Sequence, residues 1–344
     1  VSKLWRRLTG ALASRGAKRA GLSLATVLFC FLLAEIGLRL FDPLGIDYIQ
    51  EHERLLKKMP RHPLYAYLMP PNLSEVFQGV RIETNSEGLR GPEFSLVKKA
   101  GVKRILLVGD SVVLGWGVAQ QQTLSAVLER LLNDSRTGSR FEVIGVAALS
   151  WNTRNQAEFL KDRARLYDAD AIVLVVVSND IVPKPIGKTF VAKEILTPTT
   201  PEYGPLNTAR LWLARRSYVV ALVHRLILIQ ELRGQFAEDF REGSPEREDA
   251  AQAFDEIVGF ARSADIPMIG YLYFLFEERT SPVGRLYEEF YGGLFSKHGL
   301  GYSTFPTEIY QTQYRNSVID PHQNARGLDI MARHIYSTLG EIGQ

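Results

Sequence analysis

The chain has very little cysteine: Cys30 alone among 344 residues. A single thiol excludes an internal disulfide and a cysteine-rich metal site. Histidine is also scarce, with six in all, so any chemistry that needs an imidazole has few candidates. The main body lacks an excess of positive charge. Formal net charge is +3, but residues 1–41 hold Lys3, Arg6, Arg7, Arg15, Lys18, Arg19 and Arg39 against Glu35 alone. The remainder keeps 34 of the 41 basic and 37 of the 38 acidic residues, a net of −3. The basic character belongs to the N-terminal segment, which argues against nucleic acid as a partner of the main body. No internal repeat is evident, and a 46% hydrophobic content can fill one large domain or two modest ones.

Charge is absent again from Gly21 to Ala34, within the apolar run Gly21–Phe41. Its 21 residues would span roughly 30 Å as a helix, the thickness of one bilayer core. Glu35 and Arg39 fall near its end, at a spacing that lets them pair. The basic residues ahead of it place 1–20 as a cytoplasmic tail, 21–41 as a transmembrane helix and the main body on the far side. A cleaved signal peptide is the rival reading.

Residues 42–102 are mixed, and Asp42-Pro43 stops the helix. His62-Pro63 and Pro70-Pro71 mark extended or turning backbone. Val80–Thr84 alternates like an exposed strand, followed by a turn at Asn85–Gly88. This stretch is expected to be a stalk with a small β element packed on the domain. From Lys103 onward strands and helices alternate. Strands are expected at 105–108, 141–146, 171–177, 267–276 and 302–305, and helices at 124–133, 155–167, 249–263, 284–298 and 324–339. That order predicts a flavodoxin-like doubly wound α/β domain over 103–344, a three-layer sandwich with a mainly parallel five-stranded sheet. It is interrupted by an insertion at 183–248: a proline-rich loop, then an apolar helix near 208–232 that suits a cap over the site. Arg215, Arg216, His224 and Arg225 argue against that helix as a second membrane span.

The candidate chemistry lies at strand ends. Ile105–Val108 runs into Gly109-Asp110-Ser111, which sets a hydroxyl where a strand hands over to a helix. A nucleophilic serine needs a base, an orienting group and oxyanion donors. His52 and His62 lie in the stalk, His224 and His334 in helices and His298 at a helix end, all suited to packing or surface positions. His322 differs, because it stands in the loop Asp320-Pro321-His322 before the last helix, with an acid two residues away. The second strand leads into Ala147–Thr153, including Ser150. The third ends in Ser178-Asn179-Asp180, where the Asn179 amide is placed to donate.

In these blocks and their order the chain resembles SGNH/GDSL-type serine hydrolases, over roughly Lys103 to the C-terminus. The anchor and the Asn85, Gly88, Arg90, Gly91 stretch are similar to the membrane-anchored members of bacterial envelopes. The resemblance implies Ser111 as nucleophile and backbone oxyanion donor, Asn179 as side-chain donor, and His322 with Asp320 as base and orienting acid. Ser150 stands where relatives offer a glycine N–H, Gly145 where many have asparagine, Ser178 where they have glycine and Gln323 where proline is common. Asp110 is the supporting residue of the nucleophile block.

The activity implied is ester hydrolysis or acyl transfer through an acyl-Ser111 intermediate, with no metal or organic cofactor. An anchored domain facing the periplasm or cell exterior points to O-acyl, mainly O-acetyl, groups of cell-envelope polysaccharide. A lysophospholipase or lipase acting on lipid esters is the first alternative. A non-catalytic partner of exopolysaccharide-assembly proteins is the second.

Overall fold

The computed structural model describes residues 15–135, 138–181, 205–275 and 279–342. The apolar N-terminal run forms one helix, α1 (Arg15–Phe41), with the expected Glu35–Arg39 pair closed at 2.6 Å. Among the described residues it is the one helix long and apolar enough to cross a membrane.

Residues 42–102 are built into the domain rather than forming a stalk. A helix not expected from sequence, α2 (Asp47–Leu56), buries Tyr48, His52, Leu55 and Leu56. Two small antiparallel pairs follow: β1 (Arg61–His62) with β2 (Ala66–Tyr67), and β3 (Ser74–Phe77) with β4 (Val80–Glu83). Tyr65, Met69, Phe77, Ile82 and Leu89 belong to the same apolar core as the main sheet. Charged side chains interrupt the apolar stripe of α2 at i, i+4, i+7 and i+8, which masks the helical period in the sequence.

The main sheet contains β5 (Val102–Gly109), β6 (Arg140–Ala147), β7 (Ala171–Val177), β8 (Met268–Tyr273) and β9 (Tyr302–Thr304). Its order is β6-β5-β7-β8-β9 and every neighbouring pair is parallel. This is the doubly wound order expected from sequence, with its switch point between β5 and β7. Both central strands are apolar without alternation because helices cover both faces. Ser111–Leu114 forms a short helix, α3, and Leu124–Asp134 forms α4. Thr153–Asp162 is α5, shorter than expected because the chain tightens into a 3-10 turn over Ala164–Tyr167.

The expected helix near 208–232 is two helices. α6 (Pro205–Ala214) ends before Arg215–Ser217, and α7 (Tyr218–Asp239) starts afresh with the Ser217 hydroxyl capping the Val220 N–H. The prolines of the insertion between 183 and 204 lie outside the described residues. α8 (Pro245–Ser263), α9 (Pro282–Lys297) and α10 (Ala325–Ile342) complete the α/β alternation. α4 packs with α10, and α5 with α8.

Candidate active site

Gly109 closes β5 where the backbone has no room for a side chain. A Cβ there would sit 2.5 Å from Val113 Cγ2 and 3.1 Å from the Val175 carbonyl. The chain then turns sharply into α3, and Asp110 makes the turn by accepting the Val112 N–H at 2.9 Å. Ser111 is thereby the first residue of a helix whose opening N–H groups have no intrahelical acceptor. Its side chain is buried.

The loop before the last helix reaches that hydroxyl from 211 positions away in sequence. His322 Nε2 lies 2.8 Å from Ser111 Oγ, and His322 Nδ1 lies 2.6 Å from Asp320 Oδ1. In the tautomer whose Nδ1–H is donated to the carboxylate, Nε2 is left to accept the serine proton. Asp110 Oδ2 offers that proton a second, longer acceptor at 3.2 Å. The Asp320 carboxylate is fully buried and fully engaged. Oδ1 also accepts the His322 backbone N–H at 3.1 Å. Oδ2 accepts from Asn316 Nδ2 at 3.2 Å and Gln78 Nε2 at 3.1 Å. The ring of His322 is flanked by Tyr48, with centroids 5.7 Å apart.

The loop after β6 carries Ser150 at φ +59°, a left-handed conformation that costs an L-residue about 1–2 kcal/mol. Glycine has no such cost, which is why a serine at this place is a departure. The conformation is held by its surroundings: Tyr67 donates its hydroxyl to the Ser150 carbonyl at 3.1 Å, and Trp151 Nε1 donates back to the Tyr67 carbonyl at 2.9 Å. Asn179 follows β7 at the carboxyl edge of the sheet that also presents Ser111, and it is buried with no hydrogen-bond partner for its Oδ1 among the described residues. Its neighbour Asp180 fixes the turn by accepting from Val177 N and Gln156 Nε2, both at 3.0 Å.

The other departures are accommodated. Ser178 has an ordinary φ, and its hydroxyl accepts the Leu275 N–H at 3.1 Å, joining the ends of β7 and β8. Gly145 lies within β6, where a Cβ would meet Ser125 Oγ at 3.4 Å. Gln323 donates to the Tyr273 hydroxyl at 2.6 Å, which donates on to the Pro321 carbonyl at 3.3 Å and braces the loop of His322. Four of the other five histidines are engaged elsewhere: His62 on Tyr65, His52 on Trp116, His298 with Asp255 and His334 with Ser303; His224 is buried in α7.

Two contributors, Gln78 and Arg90, were not among the expected site residues. Gln78 carries no chemical signal in the sequence, being a lone amide on a hairpin. Arg90 belonged to a motif whose purpose the structure explains. Asn85 Oδ1 accepts the N–H groups of Glu87 and Leu89, and Gly88 turns at φ +73° against the Met69 carbonyl. This aims the buried Arg90 guanidinium at the carbonyls of Leu114, Gly115 and Val118, at 3.0, 2.5 and 2.6 Å. The first two are carbonyls where the Ser111 helix ends, and the third lies in the turn that follows it. Among the described residues no group of three His, Cys, Asp or Glu side chains is disposed to hold a metal ion.

No protein-family model matches the chain, and no curated protein matches it. Solved structures do. TesA has a TM-score of 0.45 at 13% identity, over 69% of this chain and 98% of its own. The psychrotrophic esterase EstA from Pseudoalteromonas sp. has a TM-score of 0.43 at 11% identity, over 70% and 97%. The Clostridium thermocellum family 3 carbohydrate esterase has a TM-score of 0.42 at 12% identity, over 69% and 94%. Similarity at this level says nothing about substrate.

Proposed function

We propose that the protein is a serine ester hydrolase of the SGNH/GDSL type. The observation that supports this is the unbroken path Ser111–His322–Asp320, with contacts of 2.8 and 2.6 Å. Ser111 Oγ attacks the ester carbonyl carbon while His322 Nε2 takes its proton. Asp320 holds the imidazole in the right tautomer and stabilises the imidazolium. The N–H groups of Ser111 and Ser150 and the Asn179 amide are the proposed oxyanion donors, each contributing about 3 kcal/mol to the transition state. The C–O bond to the leaving alcohol then breaks, and the alcohol oxygen takes the proton from His322. Water, or a sugar hydroxyl in a transfer reaction, attacks acyl-Ser111 by the same route and restores the serine proton.

The proposed substrate is an O-acyl, mainly O-acetyl, group on cell-envelope polysaccharide. The support is location: a helix fit to span a bilayer, basic residues ahead of it, and the catalytic domain after it. In this reading the protein is a single-pass protein of a bacterial inner membrane. A fluorophosphonate probe should label the wild type and leave Ser111→Ala unlabelled; equal labelling of both would sink the assignment. Acetylated polysaccharides should be deacetylated by the wild type alone. A strong preference for long-chain over acetyl p-nitrophenyl esters would instead favour a lipid ester.

A further inference from the structure

The first turns of α7 are inside out. On a helix bathed in water, charged groups face outward and apolar ones inward. Here His224 and Arg225 are 5% and 4% exposed, while Val223, Leu226 and Ile227, at i, i+3 and i+4, are 51%, 54% and 40% exposed. Trp212 and Leu213 on α6 are exposed as well, at 54% and 45%. Burial lowers the His224 pKa to about 4, with Arg210 and Arg225 adding to the effect, so the imidazole is neutral near pH 7. An exposed apolar face of this kind marks a surface that meets a membrane or another protein.

This face is continuous with α1. Glu35 accepts from the Ser217 hydroxyl at 2.8 Å and from the N–H groups of Tyr218 and Val219, both at 3.1 Å, so it caps α7. Arg39 donates to the Arg216 carbonyl and lies over the Tyr218 ring at 5.0 Å. Leu38 packs into a small core with Ala214, Tyr218 and Ala221. Trp212, stacked under Arg216 at 4.0 Å, supplies the amphipathic ring and basic group that favour the headgroup level of a bilayer. The end of α1 is thus locked to the start of α7, and a membrane around the first reaches the second.

We propose that the outer face of α6 and α7, namely Trp212, Leu213, Val223, Leu226 and Ile227, lies in the interfacial layer of the bilayer that α1 crosses. The domain then rests against lipid instead of standing clear of it. The inner face of the same helix places Arg225 over Tyr48 at 5.3 Å, and Tyr48 lies against His322. One helix and one ring therefore separate the bilayer from the catalytic histidine. The inference rests on α1 being inserted, and the test separates the two claims.

Cys30 is the only cysteine and lies exposed in the middle of α1. The full chain is reconstituted in phosphatidylcholine–phosphatidylglycerol vesicles carrying spin-labelled lipids with the label at shallow or deep positions. Four proteins receive an environment-sensitive fluorophore on one thiol: wild type at Cys30, and Leu226→Cys, Val223→Cys and Arg333→Cys in a Cys30→Ser background. The proposal expects deep-label quenching at Cys30. It expects blue-shifted emission and shallow-label quenching at 226 and 223, and no quenching at 333. Quenching at Cys30 with 226 and 223 behaving like 333 would overturn the docking and leave the anchor standing. Blue-shifted emission at 226 and 223 without lipid quenching would mean that protein, a second copy included, covers the face, and would also overturn it. No quenching at Cys30 would overturn both.

Discussion

Gln78 donates its side-chain amide to Asp320 Oδ2 at 3.1 Å, across 242 positions of sequence. The oxygen it holds is the one that does not hold His322. The hairpin of β3 and β4 thus reaches into the triad, and with Asn316 it fixes the carboxylate plane. A hydrogen bond to a charged acceptor is worth about 1.5–3 kcal/mol. Gln78 sits at φ +47°, which asparagine tolerates better than most residues. Gln78→Asn keeps the turn and withdraws the donor, and should lower kcat about tenfold with KM little changed. A kcat equal to wild type would show that Asn316 alone suffices.

Asp320 has a sharper expectation. Its Oδ1 contacts both Nδ1 and the backbone N–H of His322. Asp320→Asn must present either an amide N–H, which forces the wrong tautomer, or a neutral oxygen, which stabilises the imidazolium less. The expected loss in kcat is about 10³–10⁴-fold, by analogy with other serine triads. A loss under tenfold on acetyl esters would make Asp320 a spectator and require another group to orient the ring.

Much of this site was legible because its chemistry lies at the ends of apolar parallel strands. Gly109-Asp110-Ser111 after β5, Asn179 after β7 and His322 before α10 stand out as punctuation between periodic segments. The contribution of residues 42–102 was hidden for a physical reason. Their short strands, many turns and charged helix look like surface, and their burial comes from packing on a sheet that begins only at Val102. Arg90 was visible within a motif but not its task, since the carbonyls it clamps become a target only once α3 has formed. By composition 208–232 reads as an apolar cap helix whose Arg215, Arg216, His224 and Arg225 argue against a membrane span. Periodicity does not say which face is outside until the partner elements are in place.

At Ser150 backbone strain falls on a proposed oxyanion donor. Its left-handed φ costs about 1–2 kcal/mol, and glycine returns part of that by losing more entropy on folding. Ser150→Gly keeps the backbone N–H and should raise stability by up to about 1 kcal/mol. Thermal unfolding should show a small rise in Tm, with acetyl-ester turnover within twofold of wild type. Lower turnover at higher Tm would mean that the serine hydroxyl itself takes part in binding.

His224 gives a pH dependence whose sign follows from its burial. Its pKa falls from 6.5 to about 4 in the folded chain, chiefly through desolvation and then through Arg210 and Arg225. The unfolded chain therefore takes up a proton as pH drops through 6.5, while the folded chain does so only near 4. In that window the unfolded state binds more protons, so stability falls with pH, and below 4 the loss is complete. His224→Gln removes the titration and keeps a neutral polar side chain of similar size. Wild type and variant should unfold at similar temperatures at pH 7.5 in detergent micelles. The wild type should then lose ground steadily towards pH 4.5. Parallel curves over that range would mean that His224 gains its proton as readily folded as unfolded.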